Sequence, residues 1–215
     1  MGFMKVIRRT DELVNSLMTA ILCGTLAEGD ALPPDQQLGS EHNVSRTVVR
    51  EAFRILGAKG LIEAKPRSGT RVAPMSSWAL WDPDVLECLA ETDHAARFDP
   101  HIADMRAAIE PALAALAASR ANANDLAALQ GGLRALQQTP KMASEIAYLA
   151  CMFEISGNPF ASNALNLSSW ACKRIQDVPL EVYSQLTVSI CQSQPEAARQ
   201  FALQAILDRV EIMEP

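Results

Sequence analysis

Histidine, aromatic residues and long apolar runs are all scarce in this chain of 215 residues. Only three histidines occur, His42, His94 and His101, and aromatic residues make up 5% of the sequence. No apolar run approaches the roughly 18 residues of a membrane span, and the first residues lack the hydrophobic segment of a signal peptide. We therefore expect a cytoplasmic protein that makes no membrane contact.

Cysteine is also sparse, and its spacing argues against two classes of small domain. The five cysteines are scattered and never form a C-x-x-C pair, which is atypical of a disulfide scaffold or a zinc ribbon. We expect free thiols that are buried as small apolar side chains. The Ser-x-x-Lys, His-Glu and glycine-rich phosphate motifs are absent as well, so the sequence does not indicate an enzyme.

The acidic balance of the whole chain hides a basic segment. The formal net charge is −6, but residues 1–75 carry ten Lys and Arg against eight Asp and Glu, whereas residues 76–215 carry nine against seventeen. Between His42 and Ala73 there are seven basic residues and two acidic ones. Such a concentration of positive charge is typical of a nucleic-acid interface.

Residues 44–56 have one basic and one apolar face when they are placed on a helix. Arg46, Arg50 and Arg54 recur every four residues and therefore point the same way. Three neighbouring guanidinium groups repel one another unless an anionic partner is present, and guanidinium suits both phosphate and the guanine edge. The pattern predicts a DNA recognition helix. The residues that can face a core are Val48, Val49, Ala52, Ile55 and Leu56.

Two helices are predicted before this one, and a hairpin after it. The first helix is expected to start at a Thr10 cap and to end at Gly24. The second is expected to start at Pro33-Pro34 and to end at Asn43, with Leu38 as its buried anchor. Residues 61–65 and 70–73 predict a hairpin with a short turn between them. The order is that of a winged helix-turn-helix.

A second domain follows a linker at about residues 73–77. We predict domains at 1–75 and 76–215, the second all-α because it is rich in Ala and Leu with few β-branched runs. Its predicted helices are 82–91, 101–121, 123–138, 143–156, 160–176, 180–193 and 195–212. The predicted apolar stripe of helix 101–121 is Ile102, Met105, Ile109, Leu113 and Leu116. The predicted fold is mainly α, a winged helix-turn-helix with a small β-wing plus a C-terminal helical bundle.

Residues 29–33, 44–52 and 60–70 resemble, in order and spacing, the winged-helix domain of the GntR family of bacterial transcription regulators. The resemblance implies that Ser45, Arg46 and Arg50 contact phosphates and base edges, and that Gly69 enters the minor groove. One departure is Gln36, where the family usually has an arginine, so we expect a weaker affinity and a smaller salt dependence. The predicted DNA-binding residues are Gln36, Ser45, Arg46, Thr47, Arg50, Arg67 and Gly69.

Residues 105–118, 156–159 and 195–199 resemble the FCD helical domain of the FadR-type subgroup. The segment from Trp78 to Leu86, Trp-x-x-Trp-Asp-Pro-Asp-Val-Leu, resembles one in regulators of galactonate and related sugar-acid catabolism. These resemblances imply a homodimeric repressor on a palindromic double-stranded DNA operator. They also imply that the helical domain binds a small effector.

The metal site that many FCD domains contain is altered in this sequence. Such domains hold a divalent metal with an aspartate and three histidines, and the matching positions here are Glu145, Leu149, Tyr183 and Ala205. A lone carboxylate cannot form a transition-metal site. We therefore predict that the protein holds no metal and no other cofactor.

Without a metal, Arg106 is the best candidate to bind a carboxylate effector, through two parallel hydrogen bonds. The alternative is an internal ion pair of Arg106 with Glu110 or Glu145. Tyr183 is either a hydrogen-bond donor to the ligand or a core residue. The predicted effector site is Arg106, Glu145, Asn158 and Tyr183.

Two functions remain open at this point. The first is a repressor that senses a small organic acid, such as a sugar acid, through its helical domain. The second is a regulator with a degenerate sensor, which binds DNA constitutively or responds to a protein partner.

Overall fold

The computed structural model describes residues 2–65, 69–174 and 178–213. The chain divides between Ala96 and Arg97 into two compact units. This division lies well beyond the domain boundary predicted at residue 75. The two units are described separately below.

The first unit is a winged helix-turn-helix followed by one more helix. Its helices are α1 (Gly2–Leu22), α2 (Asp35–Glu41), α3 (Arg46–Ala58) and α4 (Pro83–Ala90), and its strands are β1 (Ile62–Lys65) and β2 (Gly69–Val72). The two strands are antiparallel, with Ile62 opposite Val72 and Lys65 opposite Gly69. The predicted order of three helices and a hairpin is confirmed.

The start of the first helix was predicted wrongly. Helix α1 runs through Thr10, which is buried within it and therefore does not cap it. Neither proline nor glycine interrupts residues 3–9, so the helix extends further back than the cap signal suggested. The other end agrees with the prediction, because α1 stops before Gly24, whose φ of 74° is typical of a helix C-terminus.

The segment after the wing belongs to the first unit because it packs against the winged helix. The Trp78 indole donates to the carbonyl of Ala73 at 2.9 Å, and the Ala79 N–H donates to the carbonyl of Lys59 at 2.9 Å. The Lys59 ammonium group lies 2.6 Å from Asp82 and 2.8 Å from Asp84. The segment that resembles sugar-acid regulators is thus held on the winged helix by hydrogen bonds and ion pairs.

The second unit is an all-α bundle. Its helices are α5 (Asp99–Arg120), α6 (Ala123–Gln138), α7 (Met142–Ile155), α8 (Ala161–Arg174), α9 (Leu180–Cys191) and α10 (Pro195–Met213). Helix α5 is central and packs against α7, α8, α9 and α10, while α6 packs against α7 and α9. The predicted fold class is confirmed for both parts of the chain.

The buried face of α5 differs from the predicted apolar stripe. Leu113 is buried as predicted, but Met105 is 41% exposed, and Ile102, Ile109 and Leu116 are only partly buried. The face that packs into the bundle instead carries two charged residues, Arg106 and Glu110, beside small apolar ones such as Ala114 and Ala117. The alanine-rich sequence has a weak apolar period, and the two charges can be buried because they pair with each other.

The five cysteines are free, as expected, but only Cys172 is buried, and the other four are partly exposed.

Among the described helices, none combines the length and the apolar character that a membrane crossing requires.

Candidate nucleic-acid interface and buried polar centre

Helix α3 begins with a capping residue followed by exposed polar side chains. Ser45 is the N-cap, and its hydroxyl accepts a hydrogen bond from the Val48 N–H at 3.4 Å. Arg46, Thr47 and Arg50 follow within the first turns, and all three are exposed. The positive end of the helix dipole and two guanidinium groups therefore lie on the same surface, which favours an anionic partner.

The opposite face of α3 packs into the first unit. Val48, Val49, Ala52 and Leu56 are buried, and Ile55 is partly buried. Packing of this face leaves Arg46, Arg50 and Arg54 in solvent. The structure thus has the basic and apolar faces that the sequence predicts.

Each of the three arginines contacts a neighbouring polar side chain. Arg46 donates to the amide oxygen of Gln36 at 3.3 Å, the Arg50 guanidinium lies 3.3 Å from the Asp35 carboxylate, and Arg54 pairs with Glu51 at 2.6 Å. The hydrogen bond from Arg54 lowers the pKa of Glu51 below its usual value. Exposed ion pairs of this kind contribute little free energy, so a phosphate can replace them.

Gly69 is the first residue of β2 in the hairpin. Gly69 has a φ of 74°, is exposed and pairs in register with Lys65. A backbone without a side chain can approach a second molecule closely. The prediction for Arg67 lies outside the described residues.

Among the described residues of the second unit, two ion pairs have both side chains almost fully buried. On α5, the Arg106 Nε lies 2.5 Å from the Glu110 carboxylate and its Nη2 lies 3.2 Å from the other carboxylate oxygen. The Ser168 hydroxyl on α8 donates to Glu110 at 2.7 Å. Burial by itself lowers the pKa of Arg106, but the charge of Glu110 and its hydrogen bond raise the pKa above the usual value. Of the predicted alternatives for Arg106, the structure contains the ion pair with Glu110.

The second pair joins three helices. Glu145 on α7 accepts a hydrogen bond from the Tyr183 hydroxyl on α9 at 2.6 Å and one from Arg209 on α10 at 2.8 Å. Burial and the nearby Glu145 charge raise the pKa of Tyr183 well above its usual value. The same two causes raise the pKa of Cys172, whose sulfur lies 3.7 Å from the Arg209 Nη1, to about 12. We call the set Arg106, Glu110, Glu145, Ser168, Cys172, Tyr183 and Arg209 the buried polar centre.

Asn158, the fourth residue of the predicted effector site, has different surroundings. Its side-chain oxygen accepts from the Phe160 N–H at 3.0 Å, and its own N–H donates to the Ser156 hydroxyl at 3.3 Å. It lines an open cavity of about 490 Å³ together with Phe153, Glu154 and Leu165. Glu145 and Tyr183 are therefore hydrogen-bonded to each other, whereas Asn158 lies at the open cavity and not in the buried polar centre.

The residues at the matched metal positions do not fit a divalent metal. Leu149 and Ala205 are buried and have no ligand atom in their side chains. Glu145 is already neutralised by Arg209, and the raised pKa of Tyr183 disfavours a phenolate ligand. Within the described ranges, no three His, Cys, Asp or Glu side chains are grouped as a metal would require. The absence of a metal stays a prediction.

Sequence reasoning missed Asp35, which pairs with Arg50 on the exposed face of α3, and Ser168, Cys172 and Arg209 in the buried polar centre. One signal for Arg209 was present, because it follows Ala205 by four residues on one helix and so shares its face. Ser168 had no comparable signal, since its hydroxyl reaches Glu110 only through the packing of α8 on α5.

Comparison with known proteins assigns both units to described families. Residues 9–72 match the bacterial regulatory proteins of the gntR family, and residues 101–209 match the FCD domain. The chain is 39% identical over 127 residues to the galactonate operon transcriptional repressor of Escherichia coli (strain K12), a match that spans 59% of this chain and 56% of that protein. It is 31% identical over 209 residues to the HTH-type transcriptional regulator YieP of the same organism, covering 91% of this chain and 90% of that protein.

Two solved structures have the same fold. A Streptococcus agalactiae GntR protein covers 94% of this chain and 99% of its own, with a TM-score of 0.53 and 21% identity. The Listeria monocytogenes regulator Lar covers 95% of each chain, with a TM-score of 0.63 and 16% identity. The similarity of this chain to these two structures concerns the fold alone.

Proposed function

This chain belongs to the gntR family of bacterial regulatory proteins, with a C-terminal FCD domain, and from that premise we propose that it represses transcription from a palindromic operator as a homodimer. It is a transcription regulator rather than an enzyme. The name of its 39% identical relative, a repressor, supports repression. Two-fold symmetry of the dimer would match two operator half-sites.

The observation that carries this proposal is the exposed basic face of α3. Arg46 and Arg50 lie at the start of a helix whose opposite face is buried, which is the geometry of a helix that enters the major groove. Ser45, Thr47 and Gln36 adjoin the two arginines and supply further polar groups for phosphates or bases. Gly69 in the described part of the wing, and Arg67 beyond it, would contact the minor groove.

Operator selection from a random duplex library tests the DNA-binding proposal. The full chain should enrich an inverted repeat, and Arg46→Ala or Arg50→Ala should each weaken binding to that repeat by about 10- to 100-fold if the arginine contacts a base. Arg199→Ala is a suitable control, because Arg199 is also an exposed arginine that pairs with a carboxylate, but lies on α10. Unchanged operator binding in both α3 variants would refute the assignment.

We further propose that the helical domain senses a small organic acid at Arg106. The support is a buried guanidinium that can hold a carboxylate through two hydrogen bonds, as it holds Glu110. The name of the galactonate repressor suggests a sugar acid as the class to test first. An acid would have to take the place of the Glu110 carboxylate at Arg106.

One observation favours the second candidate function, a regulator whose sensor is degenerate. Arg106 and Arg209 are each already paired with a carboxylate in the core. A thermal-shift screen of sugar acids and other small carboxylates separates the two functions, since an acid at about a hundred times its Kd adds roughly 2.7 kcal/mol of stability. Stabilisation that is lost in Arg106→Met supports the sensor. No stabilisation, with operator binding intact, supports the degenerate domain.

A further inference from the structure

The Arg209 guanidinium lies against both oxygens of the Glu145 carboxylate, at 2.7 and 2.8 Å, with the Tyr183 hydroxyl 2.6 Å from one of them. The Arg209 and Glu145 side chains are 2% and 1% exposed. We infer that Arg209 is the resident cation of the buried polar centre and holds the place of a divalent metal beside Glu145. This inference concerns the second unit alone and does not rest on operator binding.

The position of Arg209 on α10 supports this inference. Ala205 stands where a metal-binding relative would present a histidine, and Arg209 lies one helical turn further on the same face. Alanine leaves room beside the carboxylate, and an arginine one turn away is long enough to fill it with a guanidinium group. Leu149 lies at another of the matched metal positions, and its buried apolar side chain fills that position.

The charges of the buried polar centre leave no electrostatic role for a metal ion. Glu110 and Glu145 carry the negative charges, and Arg106 and Arg209 carry the positive ones. A divalent cation added to this balanced set would be an uncompensated charge in a core that excludes water. Removal of the Arg209 side chain has the opposite effect, because it leaves the buried Glu145 carboxyl without its cationic partner.

Chemical rescue of Arg209→Ala in the full chain tests this inference. The variant should melt about 10 °C lower than the parent protein, because it leaves a buried carboxylate without its partner. Millimolar methylguanidinium should restore much of this loss with a saturable dependence on concentration. Methylammonium at the same concentration should restore less, since one ammonium group cannot contact both the Glu145 carboxylate and the Cys172 sulfur as the guanidinium group does.

Two variants and one assay complete the experiment. Glu145→Gln/Arg209→Ala should not respond to methylguanidinium, because the carboxylate that attracts it is gone. If Arg209→Ala does not fold, Arg209→Lys takes its place, and it should melt below the parent protein because one ammonium group on a shorter side chain cannot contact both the Glu145 carboxylate and the Cys172 sulfur, as Nη2 and Nη1 of Arg209 do. The parent protein, dialysed against Mn²⁺, Ni²⁺ or Zn²⁺ and then against buffer, should retain no metal by mass spectrometry.

Three results would overturn the inference. The first is stoichiometric metal in the parent protein, with a raised melting temperature. The second is an Arg209→Ala protein that is as stable as the parent and indifferent to methylguanidinium. The third, which applies if the alanine variant does not fold, is an Arg209→Lys protein with the same melting temperature as the parent protein.

Discussion

Arg106 and Glu110 lie one helical turn apart on α5 and hold each other through two hydrogen bonds in the core of the helical unit. Both side chains are almost fully buried. A buried pair of this kind is costly to break on one side only, because the remaining charge is left without a partner or water. The same pair is what an acidic effector would have to open.

Loss of one member of this pair should therefore destabilise the protein more than loss of both. We expect Arg106→Met to lower the free energy of unfolding by about 3–5 kcal/mol. Arg106→Met/Glu110→Leu should lose less than Arg106→Met alone, and therefore clearly less than Arg106→Met and Glu110→Leu combined, since no buried charge remains. Urea unfolding of the three variants measures this, and a double variant whose loss equals the sum would contradict the pairing.

The buried Cys172 thiol predicts a loss of stability at alkaline pH. Burial and the Glu145 charge raise the pKa of Cys172 from 9.0 to about 12 in the folded protein. The folded state thus binds this proton more tightly than the unfolded state does. The resulting stability is fully present below pH 9 and is lost as the pH rises from 9 towards 12, with about 1 kcal/mol lost by pH 10.

Denaturant unfolding at pH 8, 9 and 10 checks this dependence. Cys172→Ala should show a flatter profile between pH 8 and 10 than the parent protein, because the titrating thiol is gone. The raised pKa of Tyr183 acts in the same direction, but only from the unfolded tyrosine value near 10 upward. Parallel profiles for the two proteins would show that Cys172 does not cause the loss.

Gly60 should tolerate no side chain, for two reasons. Its φ is 69°, and a Cβ atom there would lie 1.9 Å from the carbonyl oxygen of Ser77, in the segment that follows the wing. We expect Gly60→Ala to cost about 3 kcal/mol, from strain and overpacking together. Gly24 is the matched control, because its φ is 74° but no described atom lies within 4 Å of the added Cβ. Gly24→Ala should cost about 1 kcal/mol, and equal losses would argue against the close approach to Ser77.

The Lys59 ion pairs should contribute measurably to the stability of the first unit. Lys59 is 8% exposed and binds both Asp82 and Asp84, so Lys59→Met should lower the free energy of unfolding by about 2 kcal/mol. Lys65 pairs with Glu63 in solvent, so Lys65→Met should change it by less than about 1 kcal/mol. Thermal unfolding of both variants provides the comparison, and a smaller effect at Lys59 than at Lys65 would be the opposite of our expectation.

Asp35 should weaken DNA binding, because its carboxylate competes with phosphate for Arg50. Asp35→Asn removes that charge, so we expect tighter binding to non-specific duplex DNA and a steeper dependence of affinity on salt. Fluorescence anisotropy between about 50 and 200 mM salt measures both quantities. Asp104→Asn is the control, since Asp104 is an exposed carboxylate on α5 of the helical unit. Equal salt slopes for the two variants would exclude this role of Asp35.

Much of the architecture could be predicted because its signals are local. Helix α6 was predicted at 123–138 and lies at Ala123–Gln138, where Asn122 and Asp125 form a capping box. The apolar face of α3 was also predictable, since helical spacing alone separates it from the three arginines. The buried face of α5 was not, because in an alanine-rich helix the apolar period is weak and the packing of neighbouring helices selects the face.

The sequence by itself determined the order of helices and strands, the basic surface of α3 and the resemblance to a family, since caps, glycines and helical spacing act over a few residues. Only the tertiary structure decided which charged side chains pair with each other in the core. Glu145 and Arg209 are 64 residues apart in the chain, and no local rule relates them. The tertiary structure also decided that residues 76–96 belong with the winged helix. That segment packs against Lys59 and Gly60 through contacts that exist only after folding.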